Sequence, residues 1–261
     1  MSGGVAAPQR RRRSSLARVN IEPAPRILFG TVAVLNAIMK PFVRSRWIAT
    51  DKLPRAGGLV LAVNHISNVD PLVIGQFLAY SGRWPHFLAK ASLFRVPGFG
   101  SLLRATDQLP VERNTRTAGH ALTAAVNAVQ RGRAVIVYPE GTITLDPELW
   151  PMKGKTGAAR IALEANCPVI PVGQWGAEQI MFGKRVHFPH LLPPKQVRVL
   201  VGDPVPLTDL RNEPLTVATL DIATERIMVA ITALVSELRG EPPPLRRFDP
   251  GASGQSPAVG R

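Results

Sequence analysis

Short apolar runs alternate with amphipathic stretches along most of this chain. Residues 58–63 and 134–138 are apolar, rich in β-branched side chains and flanked by turn residues, which predicts buried strands. The amphipathic stretches between such runs have the period and length of helices, and the longest covers residues 215–238. Strands and helices that alternate at this spacing are typical of a parallel sheet with helices on both faces. We therefore predict an α/β fold with a largely parallel or mixed central sheet flanked by helices.

The same pattern predicts the remaining elements, and no internal repeat is present. Further strands are predicted at residues 85–89, 108–111, 169–174 and 196–201, and further helices at residues 71–79, 117–130 and 157–165.

The two ends of the chain differ from its middle in composition. Residues 1–25 contain four consecutive arginines and no hydrophobic period, and residues 241–261 are rich in proline, which predicts a disordered basic arm and a disordered tail. Residues 26–46 hold an apolar segment, too short to span a bilayer, with basic residues on both sides and Trp47 beyond. We predict an N-terminal helix in a membrane interface, with packing on the core as the alternative. Residues 47–240 then form one α/β domain.

The charge of the chain indicates an anionic partner. The formal net charge is +14, with 25 arginines and 7 lysines, and guanidinium groups suit bidentate recognition of phosphates. A membrane surface, a phosphorylated substrate, an acidic protein and nucleic acid all fit this charge. Aromatic residues make up only 6% and are not interleaved with the basic ones, so we expect no nucleic-acid partner. The single Cys167 excludes an intramolecular disulfide and predicts a small buried side chain.

A histidine and an aspartate come after the first predicted buried strand. His65 stands two residues after that strand and Asp70 five residues later, close enough for a turn to bring the carboxylate to the imidazole. Such a pair makes a general base, because a carboxylate on one ring nitrogen leaves the other free to accept a proton. Two alternatives remain open: Asp70, before Pro71, suits a helix N-cap, and a lone histidine near a core strand is often structural.

Other familiar kinds of site are not supported by the sequence. The P-loop pattern fails at residues 149–156 because its first glycine is replaced by Leu149. His187 and His190 have no third ligand nearby, so we predict no metal site. The Gly-x-Ser-x-Gly motif of serine hydrolases does not occur. A base without a protein nucleophile would activate a hydroxyl group of a substrate.

Asn64, His65 and Asp70 form the first of several short segments that together carry a family resemblance. The others are residues 87–90, which end in Lys90, residues 111–113, which end in Arg113, the Tyr-Pro-Glu-Gly-Thr segment at 138–142, and the Cys-Pro-Val-Ile-Pro-Val segment at 167–172. In this order, over about residues 47–205, they resemble the glycerolipid acyltransferase family, and within it the 1-acylglycerol-3-phosphate acyltransferases of bacteria.

The resemblance implies an enzyme of phospholipid biosynthesis at the cytoplasmic face of the cell membrane, bound peripherally or monotopically to an anionic surface. It would move an acyl group from acyl-CoA or acyl-carrier protein to the hydroxyl of a lysophospholipid, 1-acylglycerol 3-phosphate, and form phosphatidic acid without a further cofactor. His65 would be the base and Asp70 its orienting partner. N–H groups near Asp70 or in the Gly141 turn would stabilise the oxyanion. The acceptor would be bound by Asn64, Lys90, Arg113, Glu140, Gly141 and Thr142.

One departure from the family pattern concerns the acceptor. Ile143 stands where the family usually has a phosphate-binding arginine, and Lys155, or else Lys153, is the predicted replacement. Glycerol 3-phosphate or another lysophospholipid is therefore an alternative acceptor. A non-catalytic membrane-surface or nucleic-acid-binding protein would also explain the charge, but the presence of both His65 and Asp70 argues against it.

Overall fold

A computed structural model of the chain describes residues 16–20, 22–111, 118–183 and 188–252. The helices in this part are α1 (Leu16–Val19), α2 (Arg26–Met39), α3 (Asp70–Tyr80), α4 (Phe99–Ala105), α5 (Ala118–Gln130), α6 (Gly157–Glu164) and α7 (Val217–Arg239). The strands are β1 (Val43–Ile48), β2 (Leu59–Val63), β3 (Pro85–Lys90), β4 (Leu109–Val111), β5 (Ala134–Val137), β6 (Val169–Trp175) and β7 (Lys195–Val201). Each element predicted between residues 58 and 238 is present, and α1, α4 and β1 are additional.

The seven strands form one sheet in the order β1-β7-β6-β2-β5-β3-β4. Neighbouring strands are parallel except β6 and β7, which are antiparallel. The predicted largely parallel α/β fold is confirmed. The carboxyl ends of β6, β2, β5, β3 and β4 consequently meet at one side of the sheet, which we call the carboxyl edge. In open α/β sheets this is where ligands bind.

The strand that precedes His65 is buried on both faces of the sheet. Leu59, Leu61 and Val63 of β2 pack in the core beneath α3, whereas Val60 and Ala62 pack in the core beneath α5, α6 and α7. Side chains alternate between the two faces because successive residues of a strand point in opposite directions. Burial of an aliphatic side chain such as leucine or valine contributes about 1.5–3 kcal/mol, so β2 firmly supports the turn that bears the histidine.

Helix α2 packs along α3 on one face of the sheet. Its buried residues include Leu28 and Val32, which lie in a small cluster with Trp84. Asn36 of α2 accepts a hydrogen bond from Nε2 of Gln76 on α3 at 2.8 Å. The helix is therefore part of the folded domain, as the alternative of packing on the core predicted.

The outward face of α2 is apolar as well. Ile27, Val34 and Ile38 are 45%, 60% and 61% exposed. Contact with the core through one face leaves this second face available, so core packing and membrane contact do not exclude one another. Over the described residues, every helix is too short or too polar to cross a bilayer.

The predicted helix over residues 26–46 ends earlier than expected. Helix α2 stops at Met39, and β1 pairs with β7 along six residues. In β1 only Val43 is buried, and the next three residues are exposed, so the sequence lacked the alternation that predicts a strand. Trp47, which comes after the apolar segment, lies with its ring centroid 5.9 Å from that of Phe77 on α3. The strand that carries Trp47 thus packs on α3.

The arm predicted to be disordered over residues 1–25 is ordered in its last part. Leu16 is buried, and Glu22 forms an ion pair with Arg83 at 2.5 Å. The Arg83 side chain is fully buried, so removal of its acidic partner would leave an uncompensated charge inside the protein. Residues 1–15 lie outside the described part of the chain.

The tail predicted to be disordered over residues 241–261 is also partly ordered. Asp249 forms an ion pair with Lys153 at 2.9 Å, and the carbonyl of Phe248 accepts a hydrogen bond from the Lys153 N–H. These contacts tie the tail to the segment that comes after Trp150. Residues 253–261 lie outside the described part.

Candidate active site

His65 and Asp70 meet at the carboxyl edge of the sheet. His65 lies two residues beyond the end of β2, and Asp70 is the first residue of α3. His65 Nδ1 and Asp70 Oδ2 are 2.8 Å apart, and the imidazole is partly exposed. A carboxylate at Nδ1 favours the tautomer that carries its proton there, which leaves Nε2 as a proton acceptor. The arrangement is that of an oriented general base.

Asp70 is held by the turn that precedes it. The N–H groups of Ile66 and Ser67 donate to the same Asp70 oxygen at 2.7 and 2.8 Å. The carboxylate therefore faces back towards His65, and no side chain caps α3, so the N-cap interpretation is wrong. Asp70 is fully buried, and burial raises the pKa of its carboxyl, an effect that His65 and the two N–H groups oppose. The buried carboxylate depends on these partners.

The main chain of His65 is fixed on both sides by the turn after β5. The His65 N–H donates to Glu140 Oε1 at 2.8 Å, and the Thr144 N–H donates to the His65 carbonyl at 2.7 Å. We call these two contacts the main-chain clamp. The other Glu140 oxygen accepts the Met152 N–H at 3.1 Å.

Glu140 is nearly fully buried, and burial raises the pKa of its carboxyl to about 8. Both of its oxygens accept main-chain N–H groups. Glu140 was predicted to contact the acceptor. In the structure its carboxyl group instead lies behind His65 and supports it.

Asn64 is the second predicted binding residue that the structure places in the interior. It is fully buried; its Oδ1 accepts the Gln174 N–H at 2.8 Å, and its Nδ2 donates to the Gln174 carbonyl at 3.1 Å. These bonds extend the pairing of β2 with β6 by one residue. The prediction of a substrate contact by Asn64 is wrong because its amide group is used to join two strands.

Gly141 and Lys155 lie together in front of the turn. Gly141 has φ +71°, and a Cβ there would lie 3.1 Å from Lys155 Cδ and 3.2 Å from its Nζ, so glycine lets the lysine cross the turn. The Lys155 N–H donates to the Pro139 carbonyl at 2.8 Å, and its side chain is exposed. Thr142 is partly exposed in the same turn, whereas Ile143 is buried. An isoleucine at 143 thus fills an apolar site.

Two further predicted residues belong to neighbouring strands. Lys90 is the last residue of β3, exposed, and pairs in register with Val111 of β4. Both strands end at the carboxyl edge, which brings Lys90 to the side of the sheet that holds His65. Arg113 lies outside the described residues.

Two residues of the site were missed by the sequence analysis. The ring of Tyr138 stacks on His65 with centroids 4.2 Å apart and planes inclined by 22°. Gln174, through its side-chain Nε2, donates to the Asn64 carbonyl at 2.9 Å. A signal existed for both, since each stands at the end of an apolar strand that leads to the carboxyl edge.

Comparison with known proteins links this arrangement to one family. The family model described as acyltransferase matches residues 45–175, just over half of the 261 residues. The chain is 26% identical over 165 residues to the 1-acyl-sn-glycerol-3-phosphate acyltransferase of Bacillus subtilis, a match that covers 63% of this chain and 75% of that protein. It is 34% identical over 118 residues to the Escherichia coli protein of the same name, with 44% of this chain and 46% of that protein covered. The second match thus spans about half the length of the relative.

The fold has a counterpart among solved structures. The crystal structure of the 1-acyl-sn-glycerophosphate (LPA) acyltransferase PlsC from Thermotoga maritima superimposes with a TM-score of 0.63 at 22% sequence identity. The alignment covers 83% of this chain and 81% of that chain. The two proteins share the same overall fold.

Proposed function

The chain belongs to the acyltransferase family, and we propose that it transfers a fatty acyl group from an acyl thioester to the free hydroxyl of 1-acylglycerol 3-phosphate, which forms phosphatidic acid. The observation that carries this proposal is the 2.8 Å contact of His65 Nδ1 with Asp70 at the carboxyl edge. The names of the relatives support the choice of acceptor.

In the proposed mechanism His65 Nε2 accepts the proton of the acceptor hydroxyl while the hydroxyl oxygen attacks the carbonyl carbon of the thioester. The tetrahedral intermediate then collapses, the carbon–sulfur bond breaks, and the thiolate takes the proton from His65. Asp70 keeps the ring in the required tautomer and stabilises the imidazolium form between the two steps.

The oxyanion of the intermediate needs hydrogen-bond donors near His65. The N–H groups of Ile66 and Ser67 already donate to Asp70, and the Gly141 N–H donates to the Tyr138 carbonyl at 2.9 Å. The N–H groups of Thr142 and Ile143 come next in the same turn. We propose that these two N–H groups donate hydrogen bonds to the oxyanion. This is the second of the two positions predicted from the sequence, the Gly141 turn.

Lys155 is the proposed contact for the phosphate of the acceptor. Its exposed amine lies across Gly141, in the turn that also clamps His65, whereas Lys153 is paired with Asp249. Lys90 and Arg113 remain candidates for the same phosphate. Because Ile143 replaces the usual arginine, glycerol 3-phosphate and other lysophospholipids remain alternative acceptors, and the donor is acyl-CoA or acyl-carrier protein.

The acceptor and the product are lipids, so the site has to work against a bilayer. We propose that the exposed apolar face of α2 contacts the cytoplasmic face of the cell membrane as a peripheral or monotopic anchor. Lys40, Arg44 and Arg46, which come after this helix, are exposed and would add attraction to anionic lipids.

A direct test is acyl transfer by the purified full-length protein. Acyl-CoA and acyl-carrier protein are each offered with 1-acylglycerol 3-phosphate, glycerol 3-phosphate or a neutral-headgroup lysolipid, and the product is identified by mass spectrometry together with thiol release. Phosphatidic acid formed faster than any other product supports the proposal. Faster acylation of another acceptor would contradict it.

A further inference from the structure

We propose that Tyr138 is a positioning residue for the reaction, whose ring face holds the His65 imidazole and stabilises its protonated form. The inference rests on the proposed function, because it concerns how His65 works as a base. It assigns a role to a residue that lies just beyond β5.

The geometry fixes the imidazole from three directions. Asp70 contacts its Nδ1 edge at 2.8 Å, the main-chain clamp fixes its backbone, and the Tyr138 ring covers one face at a centroid distance of 4.2 Å. The inclination of 22° makes this a stacked arrangement. The ionisable residues that contact His65 are Asp70, Glu140 and Tyr138, and the amine of Lys155 lies across Gly141 in the same turn.

Stacking acts differently on the two forms of the imidazole. The face of an aromatic ring is negative, so it attracts a cation more strongly than a neutral ring. His65 becomes a cation when it takes the proton of the acceptor hydroxyl, and it is at that moment that Tyr138 contributes most. The contact therefore favours the transition state over the resting enzyme, which is the condition for raising kcat.

The hydroxyl group of Tyr138 does not explain its position. It is buried and has no hydrogen-bond partner in the part of the chain that the structure describes. Burial, with a further effect of Asp70, raises the pKa of this hydroxyl well above its ordinary value, so it stays protonated. A buried hydroxyl without a partner costs stability, so phenylalanine should serve at least as well at this position.

The experiment compares Tyr138→Phe with Tyr138→Leu in steady-state acyl transfer. Tyr138→Phe keeps the ring face and should retain kcat. Tyr138→Leu keeps an apolar side chain without a ring face, and kcat should fall roughly three- to thirtyfold while the KM values of donor and acceptor stay within about twofold. Circular dichroism and thermal unfolding report whether each variant is folded, and Tyr138→Met provides a second side chain without a ring.

The pH profile separates this role from a purely structural one. Since the stack favours the protonated ring, its loss lets His65 remain unprotonated at lower pH, and the acidic limb of kcat/KM should move to lower pH by about half a unit. The limb should not move in Tyr138→Phe. An NMR titration of the His65 imidazole in each variant checks the same shift without turnover.

Two outcomes would overturn the inference. Loss of activity in Tyr138→Phe would mean that the hydroxyl takes part, and a folded Tyr138→Leu protein with unchanged kcat and pH profile would mean that the stack has no role. His65→Ala distinguishes these outcomes from failure of the proposed function. An inactive His65→Ala beside an unaffected Tyr138→Leu removes only the role of Tyr138, whereas an active His65→Ala removes the mechanism itself.

Discussion

The groups behind His65 and the groups in front of it are held in different ways. Behind it, Asp70 and Glu140 are buried, and each accepts main-chain N–H groups. In front, Lys90 and Lys155 are exposed, and their amines contact no carboxylate among the described residues. In the proposed mechanism the proton acceptor is therefore fixed before any substrate arrives, whereas the proposed lysine contacts to the acceptor phosphate would become ordered only when it binds. Chemistry and acceptor choice can then vary separately, as the isoleucine at position 143 suggests.

Removal of the base should have the largest effect. His65→Ala should lower kcat by about 10² to 10⁴ with the fold retained, because a positioned general base contributes about that much. Asp70→Asn should cost as much or less, through loss of tautomer control. Acyl transfer is measured beside His190→Ala, which removes an exposed histidine. More than a tenth of the activity left in His65→Ala would refute the mechanism.

A substitution at Glu140 tests whether the main-chain clamp on His65 contributes to stability and activity. Glu140→Gln turns an NH₂ group towards one of the two N–H donors, so we expect a loss of about 1–3 kcal/mol in the free energy of unfolding and a roughly tenfold lower kcat with little change in KM. Glu148→Gln, at an exposed glutamate, is the matched control. Wild-type stability and activity in Glu140→Gln would show that the clamp is dispensable.

The pH dependence of stability gives Glu140 a second readout. Its pKa is about 8 in the folded protein against an ordinary 4.5. The folded state thus binds this proton more tightly, and its contribution to stability is complete below the ordinary value and is lost as the pH rises towards 8. Denaturant titrations from acid to pH 8 should show a smaller decline in Glu140→Gln than in the wild type, and burial of Asp70 and Glu178, which raises the pKa of both carboxyls, accounts for the part that is left.

Substitution of Lys155 and of its neighbour Lys153 should affect acceptor binding differently. Lys155→Ala should raise the KM for a phosphate-bearing acceptor about tenfold, since hydrogen bonds to charged groups contribute about 1.5–3 kcal/mol and exposure weakens them. Lys153→Ala removes an amine already paired with Asp249 and should leave KM nearly unchanged. Equal effects of the two substitutions would remove Lys155 from the phosphate site.

The smallest effect concerns the membrane. Deletion of residues 1–45 would remove part of β1 and the core contacts of α2, so surface substitutions are the sharper test. Val34→Ser with Ile38→Ser should lower partition onto anionic vesicles about fivefold to tenfold, because both side chains leave water only on binding. Ile222→Ser with Val229→Ser, on the exposed face of α7, is the matched control. If both pairs sediment alike with vesicles, α2 is not the contact.

The order of strands and helices could be predicted from sequence because it depends on local patterns. The buried run over residues 59–63 and the helix that begins at Asp70 are indicated by apolar runs and by proline at the second helical position. The position of His65 and Asp70 at the end of this strand is indicated by the same patterns. These features require no knowledge of which strand pairs with which.

The misassigned residues depend on partners far away in the chain. Asn64 accepts a hydrogen bond from the N–H of Gln174, 110 residues later in the chain, and Glu140 accepts one from the N–H of His65, 75 residues earlier. A polar residue in a motif has the same sequence signature whether it faces a substrate or a neighbouring strand. Residues 43–48 were misassigned for another reason, since edge strands carry charged residues that resemble a basic flank.

The turn after β5 links two functions through one short piece of backbone. Residues 138–144 stack on the imidazole, clamp its main chain and accept the N–H of Lys155 at Pro139. Under the proposed assignment, this backbone therefore sets the distance from the proton acceptor to the main chain of the lysine that contacts the phosphate. Such an enzyme would favour acceptors in which the hydroxyl group and the phosphate are separated by a small and fixed number of bonds.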